Sequence, residues 1–309
     1  MNILITGALG HIGSSLIEKL DKIKKLKNVY LLDSARSNNI NVLFNLKSNK
    51  VKFKFLFEDL NDKNSLKLID KKINVVIHLA AITNAEQSFK NKKLIFKNNF
   101  GIFKKIVNFC YKNNAKLIHL SSTSVYGHST KIVDENFKQL EPRSPYAEEK
   151  LMEENYLKKL KKIKFITFRL GTIAGISKGM RFHTAVNKFC LNTILGEKIP
   201  VWENALHQYR PYCSLSDASN AIIQIINKNA FDNQIYNVLT KNHTVYQILK
   251  MIKNNNFKFK IVKTKTPILN QIFYGVSNKK FDKFKIKMKG SIKKDIKETL
   301  KLLKSFYKK

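Results

Sequence analysis

Three side chains have the types and spacing needed to move a proton off an alcohol: Ser122, Tyr146 and Lys150. Leu120-Ser121-Ser122-Thr123-Ser124 closes a β-branched and apolar run, and Ser144-Pro145-Tyr146-Ala147-Glu148-Glu149-Lys150 follows about two dozen residues later. Pro145 suits the first turn of a helix, which puts Tyr146 and Lys150 at i and i+4 on one face. A free tyrosine, with a pKa of about 10, is no base at neutral pH. An ammonium beside it favours the phenolate, and a shift of about 3 units corresponds to roughly 4 kcal/mol. A Ser122 hydroxyl would then hold the substrate oxygen while Tyr146 takes its proton and a hydride leaves. A YxxxK pattern alone arises often by chance, so its weight comes from what accompanies it.

What accompanies it is a glycine loop. The first strand, Asn2–Thr6, runs into Gly7-Ala8-Leu9-Gly10-His11-Ile12-Gly13, a GxxGxxG spacing before an amphipathic stretch. Gly7 permits a tight turn, Gly10 a close approach of backbone to a diphosphate, and Gly13 close packing of helix on strand. Twenty residues beyond Gly13, Asp33 ends a second strand, where it either accepts hydrogen bonds from an adenosine ribose or serves as a turn residue. The ribose role favours NAD, while Arg36 nearby keeps NADP open as a partner for a 2′-phosphate.

These groups need a sheet to position them. Short apolar runs at Asn2–Thr6, Asn28–Asp33, Val51–Phe57, Val75–Leu79, Lys116–Ser121 and Phe165–Leu170 alternate with helical stretches at Ile12–Leu26, Asn64–Lys71, Ile95–Asn113 and Pro145–Leu160. That alternation predicts an α/β fold with a parallel sheet covered on both faces. Beyond Leu170 the rhythm loosens into helices near 185–195, 216–226, 244–253 and 292–306, with extended pieces at 199–202 and 234–238. The expected division is a cofactor half over 1–170, to which the chain returns at about 211–240, and a mainly substrate-binding half over 171–309.

Composition bounds the rest. The formal charge is +36, yet only five of the 58 basic residues are arginine. The lysines are dispersed along amphipathic stretches, as on solvated helix faces, and no nucleic-acid partner is expected. The competing reading is a non-catalytic RNA-binding protein on the same fold. The segment at Met1 has no basic leader pattern and no apolar run is long enough to span a bilayer, so a cytoplasmic protein without membrane attachment is expected. Cys110, Cys190 and Cys213 form no CxxC pair, and His183, His207 and His243 have no metal spacing, so reduced thiols and no metal are expected.

Taken together, these motifs resemble the extended short-chain dehydrogenase/reductase family, which contains NAD-dependent epimerases and dehydratases of sugar nucleotides. The resemblance runs from Thr6–Gly13 and Asp33 through Glu58-Asp59-Leu60, His78-Leu79-Ala80-Ala81, Asn98-Asn99-Phe100-Gly101 and Ser121–Gly127. It continues through Tyr146/Lys150 to Arg210-Pro211-Tyr212-Cys213-Ser214-Leu215-Ser216-Asp217-Ala218. It implies a Rossmann-type doubly wound parallel sheet with a smaller, partly discontinuous C-terminal substrate domain, and a homodimer paired through the helices near 95–113 and 145–160. It also implies catalysis by Ser122, Tyr146 and Lys150, and a cofactor held by Gly7, Gly10, His11, Ile12, Gly13, Asp33, Asp59, Leu60, Leu79, Ala80, Ala81, Asn98, Tyr146 and Lys150.

The departures narrow the reaction. Thr123 and Ser124 stand where the dehydratases of the family carry an Asp-Glu pair, so elimination of water is not expected. Leu170-Gly171-Thr172 replaces the asparagine that contacts substrate phosphates in many epimerases. Where several UDP-sugar enzymes have a C-terminal arginine, the chain has Lys287-Met288-Lys289-Gly290. Epimerisation through transient oxidation of a sugar hydroxyl needs no group beyond Ser122, Tyr146, Lys150 and retained NAD. A sugar dehydrogenase or keto-sugar reductase would use the same residues. In so lysine-rich a chain an arginine marks a place where a planar fork is needed. Arg181 and Arg210, with Thr123, are therefore the expected substrate contacts, the two arginines gripping an anionic group or else forming structural ion pairs.

Overall fold

The computed structural model describes residues 1–44, 46–83, 87–90, 92–202, 205–264 and 275–307. In chain order the strands are β1 (Asn2–Thr6), β2 (Asn28–Asp33), β3 (Lys52–Phe57), β4 (Val75–His78), β5 (Lys116–Ser122), β6 (Ile132–Val133), β7 (Phe165–Leu170), β8 (Thr172–Ala174), β9 (Ile199–Trp202), β10 (Tyr209–Ser214), β11 (Gln234–Val238), β12 (Lys241–Thr244), β13 (Ile261–Thr264) and β14 (Gly275–Val276). The α-helices are α1 (His11–Ile17), α2 (Lys92–Ile95), α3 (Gly101–Asn113), α4 (Pro145–Lys158), α5 (Ala185–Leu195), α6 (Leu215–Lys228), α7 (Val245–Lys253) and α8 (Ile292–Phe306).

Seven strands form one parallel sheet in the order β11-β7-β5-β4-β1-β2-β3. Strands β1, β4 and β7 are rich in apolar residues and buried on both faces along nearly their whole length, as a doubly covered parallel sheet demands. One face packs on α1 and α6 through Leu16, Ile17, Ile222 and Ile226. The other packs on α3 and α4 through Phe103, Ile106, Cys110 and Leu157. Strand order reverses between β1 and β4, whose ends are paired in register at Thr6 and His78. A crevice therefore opens at their carboxyl ends, the usual ligand position in such sheets.

The C-terminal part contributes a three-stranded sheet, β12-β10-β8, and a pair, β13-β9. These pack with α5, α7 and α8 around Val186, Ile199, Tyr212, Ile248 and Ile296. Among the described residues no helix is long and apolar enough to cross a membrane.

Three expected helices change form. Residues 64–71 make successive tight turns rather than a helix. Lys105 Nζ draws in the carbonyls of Leu60 and Asp62 and the Ser65 hydroxyl, and Asp70 accepts from Tyr30, so tertiary side-chain bonds override the local helical pattern. The first helix stops at Ile17, and only a 3₁₀ turn (Leu20–Lys22) continues it before Lys25 turns left-handed. The helix expected over 95–113 begins with a π-helical turn, Phe96–Phe100.

Candidate active site

The crevice between β1 and β4 holds the glycine loop. Gly7 has a φ of 67°, and a side chain there would put its first carbon 2.6 Å from the Ala80 nitrogen, so the turn tolerates only glycine. Asp33 braces the loop: its Oδ2 accepts from the Leu9 amide at 3.0 Å and its Oδ1 from the Ala35 amide at 2.9 Å. A strap over 175–181 lies across the loop. His11 Nε2 bonds the Gly175 carbonyl at 2.9 Å, Ser177 Oγ donates to the His11 carbonyl at 3.0 Å, and the Gly179 amide donates to Ser14 Oγ at 3.0 Å. Burial pushes the His11 imidazole down to about 4, so it stays neutral.

Arg181 ends this strap. Its Nη2 lies 3.4 Å from where a Gly10 side chain would begin, and its Nη1 donates to Thr83 Oγ1 at 2.7 Å. Arg210 instead lies on the Trp202 ring, 5.0 Å from the centroid. Neither guanidinium has an ion-pair partner among the described residues. The other arginines do: Arg36 with Asp59, Arg143 with Glu141 at 2.6 Å, and Arg169 with Glu154 at 2.6 Å.

Ser122 ends β5 and caps the short turn Thr123–Tyr126. Its Oγ accepts from the Ser124 amide at 3.1 Å and from Ser124 Oγ at 2.9 Å, which leaves its own proton free to donate into the crevice. Thr123 is buried, and its hydroxyl donates to the Leu170 carbonyl at 3.2 Å. Helix α4 starts as its composition predicts, with Ser144 Oγ accepting from the Ala147 amide at 3.2 Å and Pro145 in the first turn. Tyr146 and Lys150 stand one turn apart, Nζ 6.0 Å from the ring centroid.

Lys150 has other partners as well. Its ammonium donates to Glu153 Oε2 at 2.6 Å and lies 3.8 Å from Glu149 Oε2. Burial raises the Tyr146 pKa, with Lys150 working against it and both carboxyls working with it. At Tyr146 the ammonium thus favours the phenolate against desolvation and two nearby carboxyls.

One cavity of about 1170 Å³ gathers Gly7, Gly10, His11, Ile12, Gly13, Leu79, Ala80, Ala81, Ser122, Thr123, Tyr146, Lys150, Arg181 and Arg210. Asp33, Asp59, Leu60 and Asn98 lie outside its lining. Leu60 is a core residue, and Asp59 and Asn98 are tied together through Asn61. Sequence reasoning missed Thr83, which anchors Arg181, and the acids of α4. Only the i, i+3, i+4 spacing of Lys150, Glu153 and Glu154 pointed to the latter. No group of His, Cys, Asp and Glu suited to a metal occurs among the described residues, and all three cysteines are free and buried.

The NAD dependent epimerase/dehydratase family model matches residues 3–238, which span the glycine loop, the serine-rich strand end and the Tyr/Lys helix. The chain belongs to that family. A Methanocaldococcus jannaschii protein of uncharacterised function is 32% identical over 249 residues, covering 76% of this chain and 74% of its own length. The uncharacterised UDP-glucose epimerase YtcB of Bacillus subtilis is 30% identical over 243 residues, covering 74% of this chain and 73% of its own. Among solved structures, the UDP-N-acetylglucosamine 4-epimerase of Methanobrevibacter ruminantium M1, in complex with UDP-N-acetylmuramic acid, superposes with a TM-score of 0.83 at 25% identity, covering 99% of each chain. The UDP-glucuronic acid 4-epimerase of Bacillus cereus gives a TM-score of 0.87 at 22% identity over 99% of this chain and 100% of its own, a likeness of fold. This family member thus has the Rossmann-type sheet its motifs predict, with a separate C-terminal region beside it.

Proposed function

We propose that the protein is an NAD-dependent sugar-nucleotide epimerase, inverting a carbinol carbon through transient oxidation to a ketone. The carrying observation is that the glycine loop and Ser122, Tyr146 and Lys150 face one cavity of about 1170 Å³, which no Asp or Glu of the described residues lines. A single small ligand needs about 300–1,000 Å³, so the volume suits two ligands together. The lining cations, Arg181 and Arg210 with Lys188, Lys90 and Arg143, suit diphosphates. Dehydration would need an acid beside Ser122, and the two following side chains are Thr123 and Ser124.

The residues fit a dinucleotide. The side-chain-free surface at Gly10 and the unpaired Arg181 beside it would take the diphosphate, with His11, Ile12 and Gly13 continuing that cradle. Asp33 at the end of β2 would repel a 2′-phosphate, and Asp59 engages the Arg36 that could otherwise receive one, which supports NAD over NADP. Leu79, Ala80 and Ala81, which line the cavity, would flank the cofactor, while Asn98 and Leu60 would act from behind that lining. Bound NAD supplies a hydride acceptor that later returns the hydride. Ser122 donates its free proton to the reacting sugar oxygen and fixes its position. Tyr146, as the phenolate, takes the hydroxyl proton while the C–H bond breaks, and Lys150 holds the compensating charge. When the keto-sugar presents its other face, Tyr146 gives the proton back to the oxygen, so the product is an isomer with no net oxidation. Arg210, together with Thr123, serves the substrate side.

The same reading divides the chain into a cofactor half over 1–170, joined by α6 and β11, and a substrate half over 171–309. It also makes the protein a cytoplasmic homodimer paired through α3 and α4. Exposed apolar side chains on those helices, Tyr111 and Met152, support the pairing, and light scattering on the purified protein tests it.

Incubation with a panel of nucleotide sugars and trace NAD, followed by chromatography with mass detection, tests the reaction. The expected result is a new peak of unchanged mass. A product differing by two hydrogens with stoichiometric cofactor change would replace the epimerase with a dehydrogenase or reductase, and loss of water would overturn the reading of Thr123 and Ser124.

A further inference from the structure

Beneath Tyr146 lies a group of buried charges. Part of it balances in charge: Arg169 donates to Glu154 through Nε at 2.8 Å and Nη2 at 2.6 Å, and Ser121 Oγ donates to the same carboxylate at 2.6 Å. The remainder does not balance. Lys150 is one cation facing two fully buried carboxyls, Glu149 and Glu153. Glu153 Oε2 accepts from Lys150 at 2.6 Å and is hydrogen-bonded to His119 Nε2 at 2.8 Å. The second carboxyl has no cation of its own. Its Oε2 meets the Asn99 amide, at 3.5 Å, besides Lys150; Oε1 of each glutamate finds no other donor among the described residues, and the two carboxyls are hydrogen-bonded to each other.

The other titratable groups around the pair do not supply the missing charge. His119, from β5, is pushed down to about 3, mainly by burial and then by Lys150. His78, at the end of β4, is likewise held neutral by burial. Glu154 is spent on Arg169, and Arg181 faces Tyr146 from the strap rather than the carboxyls. A buried carboxylate without a partner is too costly to persist, so a proton must be retained.

We propose that Glu149 and Glu153 hold one proton between them at neutral pH and, acting through Lys150, set the pH at which Tyr146 becomes a base. Lys150 lies 2.6 Å from Glu153 Oε2 but 3.8 Å from Glu149 Oε2, which makes Glu153 the anion and Glu149 the acid, and burial with Glu153 alongside pushes Glu149 up to about 8. The anion on Glu153 cancels most of the help that Lys150 gives the Tyr146 phenolate. Both glutamates are thus positioning residues: they touch no substrate and act through the lysine. The inference rests on Tyr146 being the base, but its test does not depend on which sugar is turned over.

The double variant Glu149→Gln/Glu153→Gln leaves Lys150 uncompensated. The Tyr146 phenolate is read by ultraviolet difference titration against Tyr146→Phe, with and without NAD. Its midpoint should fall by about one pH unit or more, a tenfold gain in phenolate fraction below the midpoint. The acid limb of turnover should shift with it wherever a substrate is in hand. An unchanged or raised midpoint would overturn the proposal, whatever the activity. Infrared spectroscopy of the unmodified protein decides independently if the double variant does not fold. A protonated carboxyl band present at pH 7 and lost in Glu149→Gln supports the shared proton, and its absence from the unmodified protein refutes it.

Discussion

Replacing Arg181 by Gln separates the two sides of the cavity. The guanidinium sits beside the bare backbone of Gly10, bonded to Thr83 Oγ1 at 2.7 Å and to no carboxylate among the described residues. Burial lowers its pKa, which marks a cation held at a cost in the ligand-free protein. A diphosphate on the glycine loop would relieve that cost. A charge-assisted hydrogen bond contributes about 1.5–3 kcal/mol, so losing one should weaken NAD binding about 10- to 150-fold. Titration calorimetry of NAD into ligand-free protein measures this directly. Because the variant also removes a desolvated charge, its melting temperature without ligand should be no lower than that of the parent. The reasoning fails if NAD affinity is unchanged while the Michaelis constant for the nucleotide sugar rises. Arg181 would then belong to the substrate, as its place in the sequence alone suggests.

Three further outcomes follow from the same geometry. Tyr146→Phe should lower turnover by about 10²–10⁴-fold while NAD binding persists, since only the proton-transferring oxygen is lost, and single-turnover kinetics would show it. Glu154→Gln breaks a buried bidentate pair with Arg169, which typically costs about 3–5 kcal/mol, so the melting temperature should fall by several degrees in calorimetry. Burial, and then the acidic neighbours Glu298 and Asp217, push the Asp295 carboxyl up to about 6, above the ordinary aspartate range. A raised carboxyl binds its proton more tightly folded than unfolded, so its contribution to stability is lost as pH climbs from about 4 through about 6. Asp295→Asn should therefore raise the melting temperature at pH 7.5 and leave it nearly unchanged at pH 4.

Local spacing made the glycine loop, the serine-rich strand end and the Tyr146/Lys150 face legible, because each is a short-range pattern whose geometry one turn or one helix fixes. The acids of α4 were not legible in that way. Nothing in the spacing of Glu149, Glu153 and Glu154 marks them as buried, since burying charge on a helix breaks the amphipathic pattern. Their partners His119 and Arg169 lie 34 and 15 residues away along the chain, on separate strands. The helix expected over 64–71 failed for the same reason: Lys105, 40 residues from Ser65, dictates that conformation.

The arginines argue from both sides at once. In a chain whose positive charge is nearly all lysine, five arginines survive. The structure gives three of them a carboxylate and leaves two without one among the described residues. The buried one that is paired, Arg169, uses its planar fork to lock α4 to β7 beneath Tyr146, a task a lysine could not perform with two parallel bonds. The two without a carboxylate, Arg181 and Arg210, both line the cavity, one beside the glycine loop and one on Trp202. A site with cations to spare, no described acid in its lining and a glycine-smoothed floor matches the two anionic ligands of the proposed reaction. That arrangement follows from charge accounting, without reference to the sugar that reacts there.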